Sequence, residues 1–348
     1  MKLFKSLLVA PATLGLLAPL SATANEVTIN DFNAAEEIAV TNSRVDGLEA
    51  RLNNFEAGSF SETTSASFGS TFYVGSVENS ATGEATTFSY DFGMDLSTSF
   101  TGEDSLDIAV IGGNASGTAV DGFMGGDGTS DALTLDGVSY TFPLGGATVI
   151  VGDGVGVDDL NTGACAYSAF TDLLSDCGTS NVGGSADSAF AIAYDFDNGF
   201  TLAGGAGGGT GTDGFFTEED ASTIGLEAAY TADTYGVSVA YTDDEATTYW
   251  SVQAMLAPEG YPSLSVGYET DDDDADAIFA GLTFAEVGPG SVSLGMASTD
   301  LSSDDYYQYE LAYSYPLNDG MTITPGVFIK ETSGDDETGV VVTTSFSF

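Results

Sequence analysis

Any chemistry in this chain has to come from carboxylates. Its 348 residues hold 53 Asp and Glu against 5 Lys and Arg, two cysteines and no histidine, for a formal net charge of −48. Without imidazole, every acid–base relay or nucleophile that depends on histidine is excluded, and the chain does not read as an enzyme. Cys165 and Cys177 cannot make a zinc site by themselves. In an oxidising compartment they are expected to form a disulfide worth about 3 kcal/mol. Other groupings are weaker. Gly208 to Phe215 fits one copy of a calcium-binding glycine–aspartate repeat, and a single copy cannot stack into the roll that binds the ion. Asp271 to Asp274 lacks the glycine and terminal glutamate of an EF-hand loop. The run Gly204 to Gly211 is not followed by the helix and basic residues of a phosphate loop. No cofactor and no metal is expected, and so acidic a surface repels nucleic acid.

The use of the carboxylates depends on the elements that carry them. Thr86 to Phe100 places Phe88, Tyr90, Phe92, Met94, Leu96 and Phe100 on one face of an extended strand, with Ser89, Asp91, Gly93, Asp95, Ser97 and Ser99 on the other. Variants of this alternation recur to the chain end, separated by Gly/Asp turns. Sixteen strands are expected, at 64–74, 86–98, 105–111, 132–142, 146–152, 187–196, 200–206, 222–230, 234–241, 247–257, 263–269, 276–284, 291–298, 305–315, 321–330 and 338–348. One apolar and one polar face per strand, in an even number of strands, is the pattern of an all-β, 16-stranded antiparallel transmembrane β-barrel. A soluble β-sandwich would need a second apolar layer over these aromatics, and no segment supplies one.

The chain divides into three parts. Residues 1–24 read as a signal peptide, with Lys2 and Lys5, an apolar stretch and a small-residue site at Ala22 to Ala24. Residues 25–57 hold a short periplasmic coiled coil in which Ile38, Val45 and Leu52 alternate with Thr41, Leu48 and Phe55. Helices this short are marginal alone, so the barrel must raise their local concentration; the alternative is one amphipathic helix at the barrel mouth. Residues 58–348 form the outer-membrane barrel, whose last strand carries Phe346 and Phe348 as a C-terminal assembly signal. Beyond the leader the cations are Arg44, Arg51 and Lys330.

With the N-terminal segment on the periplasmic side, the connections there are expected to be short turns such as Asp197 to Gly199 and Pro316 to Gly320. The opposite ones, including Gly112 to Asp131 and Asp153 to Ala186, are expected to be longer, acidic and outward. Phe196, Phe200, Tyr230, Tyr235, Tyr313 and Tyr315 would form the inner aromatic girdle. If Phe88, Ile108, Leu226, Val266 and Tyr309 face lipid, then Asp91, Asp95, Asp107, Glu227, Glu269 and Glu310 point into the lumen as pore-lining carboxylates. A charge on the lipid face would cost up to a few kcal/mol, which is the reason for the inward assignment. The loop holding Cys165 and Cys177 is expected to fold inward, packed by Tyr167, Phe170, Leu173 and Leu174, with Asp158, Asp159, Asp172 and Asp176 at a constriction. The alternative is an exposed, stapled loop.

Four stretches resemble the outer-membrane porins of marine cyanobacteria, a group placed with the carbohydrate-selective porins: MKLFKSLLVAPATLGLLAPLSATA, FEAGSFSETT, TTFSYDFGMDLSTSFTGED and YDFDNGFTLAGG. The first strand pair is the most telling. The chain departs from that family in lacking the surface-layer-homology domain between leader and coiled coil. The resemblance implies sugar transport or iron uptake, but these residues show neither a sugar-stacking aromatic track nor an iron site. The expectation is therefore a general porin, passing small hydrophilic solutes and ions by diffusion and preferring cations. A structural or surface-display barrel with a closed lumen is the alternative. The expected partners are outer-membrane lipid, two further copies in a homotrimer, the barrel-assembly machinery and the permeating small solutes.

Overall fold

The computed structural model describes residues 64–79, 83–118, 120–126, 128–179, 182, 188–208, 216–217, 221–273, 275–298 and 306–348. The leader and the heptad residues Ile38, Thr41, Val45, Leu48, Leu52 and Phe55 lie outside the described residues, as do most of Gly208 to Phe215 and the side chain of Leu173.

Sixteen strands close into one antiparallel barrel in which each pairs with its sequence neighbours and β1 pairs with β16. They are β1 (Thr64–Asn79), β2 (Gly83–Thr98), β3 (Ser105–Gly113), β4 (Thr134–Leu144), β5 (Ala147–Asp153), β6 (Ser188–Asp195), β7 (Phe200–Gly208) and β8 (Ser222–Ala232). The second half comprises β9 (Tyr235–Asp243), β10 (Thr248–Leu256), β11 (Ser263–Asp271), β12 (Asp276–Val287), β13 (Gly290–Ser298), β14 (Tyr307–Asn318), β15 (Met321–Lys330) and β16 (Glu337–Ser347). Each expected strand is present, with its ends moved by a few residues. A closed barrel satisfies every ladder N–H and C=O without leaving an edge, which is what a sheet requires in hydrocarbon.

Burial alternates along the strands as the side-chain pattern demands, most plainly in β8 and β9. Phe88, Leu226, Val266 and Tyr309 are exposed on the outer face, within a band of large apolar residues that runs round the barrel. In water such a band would be a large aggregation-prone surface; in a bilayer it is the contact with lipid. At the end carrying the short turns the aromatics gather in contact. Phe200 and Tyr230 have centroids 4.7 Å apart, Tyr194 and Phe196 4.8 Å, and Tyr313 and Tyr315 6.3 Å.

The closing seam is aromatic. Phe348 exchanges two backbone hydrogen bonds with Phe68, at 2.9 and 3.0 Å, and the two rings stack at 5.7 Å. Phe346 meets Phe72 edge-on at 6.0 Å. The terminal phenylalanines thus complete the sheet. At the other end, the 114–133 connection differs from the outward loop expected from sequence. Its helix α1 (Asp121–Met124) turns inward, because Val120 and Phe123 are apolar and find cover only inside the barrel, where they are 1% and 4% exposed.

Candidate pore constriction

The connection from β5 to β6 enters the lumen and runs along the inner wall. An irregular segment carries backbone N–H groups that no ladder satisfies, and inside a barrel they need acceptors from the wall. The wall supplies them strand by strand. Glu227 on β8 accepts the N–H groups of Thr162 and Gly163 at 2.6 and 2.9 Å. The Gln253 Oε1 on β10 accepts that of Ala164 at 2.9 Å, and Ser265 Oγ on β11 accepts that of Ala166 at 2.8 Å. Glu310 on β14 takes four donors: the N–H groups of Phe170 and Thr171 at 2.8 Å each, the Tyr167 hydroxyl at 2.8 Å and the Thr171 hydroxyl at 2.5 Å. Glu269 on β11 accepts the N–H of Val182 at 3.1 Å. Gln253 also donates through Nε2 to the carbonyl of Asp176 and the Thr179 hydroxyl, both at 2.7 Å.

The wall is shaped to receive the loop. An added Cβ on Gly225 would lie 2.8 Å from the Val157 side chain, and one on Gly205 would overlap the Val157 backbone. Side chains on Gly281 and Gly295 would collide with Tyr167, one on Gly326 with the Phe170 ring, and one on Gly267 with the carbonyl of Cys177. These glycines are the inward positions of six strands and form a shallow track on which the loop lies at backbone distance. A glycine inside a strand otherwise weakens it, so close approach of another segment is its structural use here.

Cys165 and Cys177 are bonded, and Cys177 is fully buried with Leu174, Phe279 and Ala297. Tyr167 packs edge-on against Phe279 at 5.1 Å. Phe170 joins a second apolar cluster with Tyr73, Val77, Phe328 and Val341. Val155 and Val157 pack on Ala189 at the start of the loop. Asp176 and Cys177, with φ of 51° and 52°, precede Gly178 at 68°, three left-handed residues in succession where the disulfide-closed segment ends.

The sequence-derived site residues separate into two groups. Glu227, Glu269 and Glu310 point inward, but the docked loop covers them and they are 5%, 0% and 2% exposed. They hold backbone donors instead of facing open lumen, because the loop's unsatisfied N–H groups lie against them. Asp91 is on the same inner face and accepts the Tyr73 hydroxyl. Asp95 is exposed, and Asp107 is half-buried and accepts the Ser105 hydroxyl at 2.8 Å. On the loop, Asp159, Asp172 and Asp176 are exposed and Asp158 is half-buried. Asp158 and Asp176 line a cavity of about 300 Å³ between loop and wall, together with Asn161, Glu227, Ser238 and Gln253. Burial raises the Asp158 carboxyl above the usual aspartate value, and the charges of Asp159, Asp176 and Glu227 add to the rise. Asp159, although its side chain reaches solvent, is raised too, by partial desolvation of its carboxyl. Among the described residues no group of three or more Asp, Glu, Cys or His side chains is arranged to hold a metal ion. Asp271 uses its carboxylate locally, accepting the N–H groups of Asp273 and Ala275 at 2.9 Å in a turn.

Sixteen antiparallel strands, an apolar outer band and a connection docked inside define the porin-type transmembrane β-barrel. Comparison with solved structures gives the same fold. The high-pH structure of Pseudomonas putida OprB superposes with a TM-score of 0.62 at 12% identity, covering 82% of this chain and 94% of that one. A double mutant of Rhodobacter blastica porin gives a TM-score of 0.62 at 16% identity, covering 82% of this chain and all of that one. No family model matches the sequence. An uncharacterized protein of a Nostoc strain is 31% identical over 159 residues, which is 41% of this chain and 27% of that protein. The chain thus spans about a quarter of the length of that relative.

Proposed function

We propose that this protein is an outer-membrane porin through which small hydrophilic solutes and ions diffuse, with the disulfide-closed loop as its constriction. The observation that carries this reading is the docking of that loop across the wall, on a glycine track and under Glu227, Gln253, Ser265 and Glu310. A display barrel has no need to fix a loop inside itself at so many points. The likeness of fold to porins of Pseudomonas putida and Rhodobacter blastica supports it. In this reading residues 1–24 are a leader, Phe346 and Phe348 are presented to the barrel-assembly machinery, and the heptads of residues 25–57 join three copies.

The channel prefers cations. Asp158, Asp159, Asp172 and Asp176 stand on the loop, Asp95 and Asp107 lie on the inner wall, and only one basic residue, Lys330, occurs in the barrel. Rings of carboxylates around a narrow aqueous path favour cation entry. Screening shortens the reach of these charges, so the preference weakens as salt rises. Full-length refolded protein inserted in a planar bilayer under a salt gradient tests both parts: stepwise current with a cation-favouring reversal potential is expected, and anion preference would sink the selectivity.

A second reading, a closed barrel serving at the surface, is favoured by one observation. The 114–133 connection folds inward and makes a buried apolar cluster with the disulfide loop. A barrel that inserts and never conducts would establish it.

A further inference from the structure

The 114–133 connection lies between β3 and β4, and its inward part buries Val120 and Phe123 against the barrel wall. The Phe123 ring stacks on Phe328 of β15 with centroids 4.5 Å apart and planes at 29°. Phe328 itself lies over Gly339 of β16, where any side chain would collide with its ring. Phe170, from the disulfide loop, belongs to the same cluster, and Met124 packs against it. The two connections also approach each other closely at Gly125, where a Cβ would be 3.0 Å from Asp172 Oδ1.

Lys330 shares the inner face of β15 with Phe328, two residues away, and is the last of the chain's five basic residues. Its Nζ lies 5.8 Å from the centroid of the Phe123 ring. A phenyl face at that distance attracts an ammonium and takes the place of part of its water. Lys330 is thus half-buried, with a residue of the second connection beside its ammonium.

We propose that Phe123 is a specificity-determining residue of the channel. It occludes the β15–β16 side of the lumen and screens Lys330 from permeating ions, so that the path left open is bordered by carboxylates. The disulfide loop alone then sets neither the bore nor the charge preference. This inference rests on the channel reading, and it adds a second connection to the constriction.

The test uses refolded full-length protein in a planar bilayer under a salt gradient, with wild type, Phe123→Ala, Lys330→Gln and the double variant. Folding is checked by the mobility shift between unheated and boiled samples. Phe123→Ala is expected to raise single-channel conductance about twofold and to move the reversal potential toward anions. Phe123→Ala combined with Lys330→Gln keeps the larger conductance and regains the cation preference. A folded Phe123→Ala barrel with wild-type conductance and reversal potential overturns the proposal. If Phe123→Ala does not fold, Phe123→Leu takes its place, with a smaller rise expected and the same overturning result. A silent wild type with a conducting Phe123→Ala supports occlusion by Phe123 and defeats the open-channel reading. Silence of both overturns both.

Discussion

Gly267 of β11 lies directly beneath the carbonyl oxygen of Cys177, so close that a Cβ at 267 would overlap it. Strand and disulfide loop meet there at backbone level, with no side chain between them that could yield. Gly267→Val must therefore move the loop, while its effect on the ladder of β10, β11 and β12 is small because Val suits a strand. Overpacking of this kind costs about 1–3 kcal/mol. The expected outcome is a folded barrel with noisier, altered conductance and faster proteolysis within residues 155–179. Unchanged current and protease resistance would show that the loop does not rest on the wall at this point.

Glu310 takes four donors from the loop, and two of them are the buried amides of Phe170 and Thr171. Removing its carboxylate leaves both amides without an acceptor, at about 1–3 kcal/mol each. Glu310→Ala should free the middle of the loop and quicken amide exchange at 170 and 171. Glu310→Gln keeps one acceptor oxygen, so its effect should be smaller. Equal exchange rates in wild type and Glu310→Ala would count against the anchoring role.

The strands were legible because each one alternates, and the alternation survives whatever the loops do. Inward Glu227, Glu269 and Glu310 followed from the same rule, but what they touch did not. Their partners are backbone N–H groups more than sixty residues away in sequence, and no side-chain pattern marks a backbone donor. The glycine track was visible in principle. Gly225, Gly267, Gly281, Gly295 and Gly326 each interrupt a strand at an inward position; Gly281 pairs with Gly295, but Gly267 stands opposite Phe279, and only the folded loop brings the five under one segment. Phe123 was the clearest missed signal. Val120, Phe123 and Met124 are apolar residues in a connection expected to be exposed, the same argument that points to an inward fold for the loop of Tyr167 and Phe170.

The Cys165–Cys177 bond ties the segment bearing three successive left-handed residues to the stretch anchored by Gln253 and Ser265. Closing a loop of this size is worth about 3 kcal/mol in the chain-entropy account. Cys165→Ser with Cys177→Ser should leave the sixteen strands intact, because the bond joins no two of them. Loop docking should weaken, and current fluctuations in the bilayer should grow. A loss of the whole barrel would contradict the separation of loop stability from sheet stability.

Asp158 and Asp159 take up protons at higher pH than an ordinary aspartate, since partial desolvation of their carboxyls disfavours the charge. On acidification from neutrality their neutralisation therefore begins above the usual aspartate value. Cation preference should begin to fall while the pH is still above about 3.9, the usual aspartate value. Asp158→Asn with Asp159→Asn should lower the preference at neutral pH and remove this early part of the titration. Reversal potentials across a pH series give the answer directly, and identical profiles for wild type and variant would defeat it.

Asp104 provides the opposite case, at the turn between β2 and β3. Its Oδ1 accepts the Ser99 and Thr101 hydroxyls and the N–H groups of Phe100 and Thr101, at 2.8 to 2.9 Å, and its Oδ2 accepts the Tyr140 hydroxyl at 2.6 Å. These bonds, that of Tyr140 first, hold its carboxyl well below the usual range. A carboxyl depressed in the folded state stabilises that state fully above its unfolded value, and the contribution is lost as pH falls through the folded value. Asp104→Asn should therefore lower the temperature at which the folded form is lost on heating at neutral pH. The gap to wild type should persist through mild acid and close only below the ordinary carboxylate range. A gap that closes at or above that range would mean that Asp104 is not held by these donors.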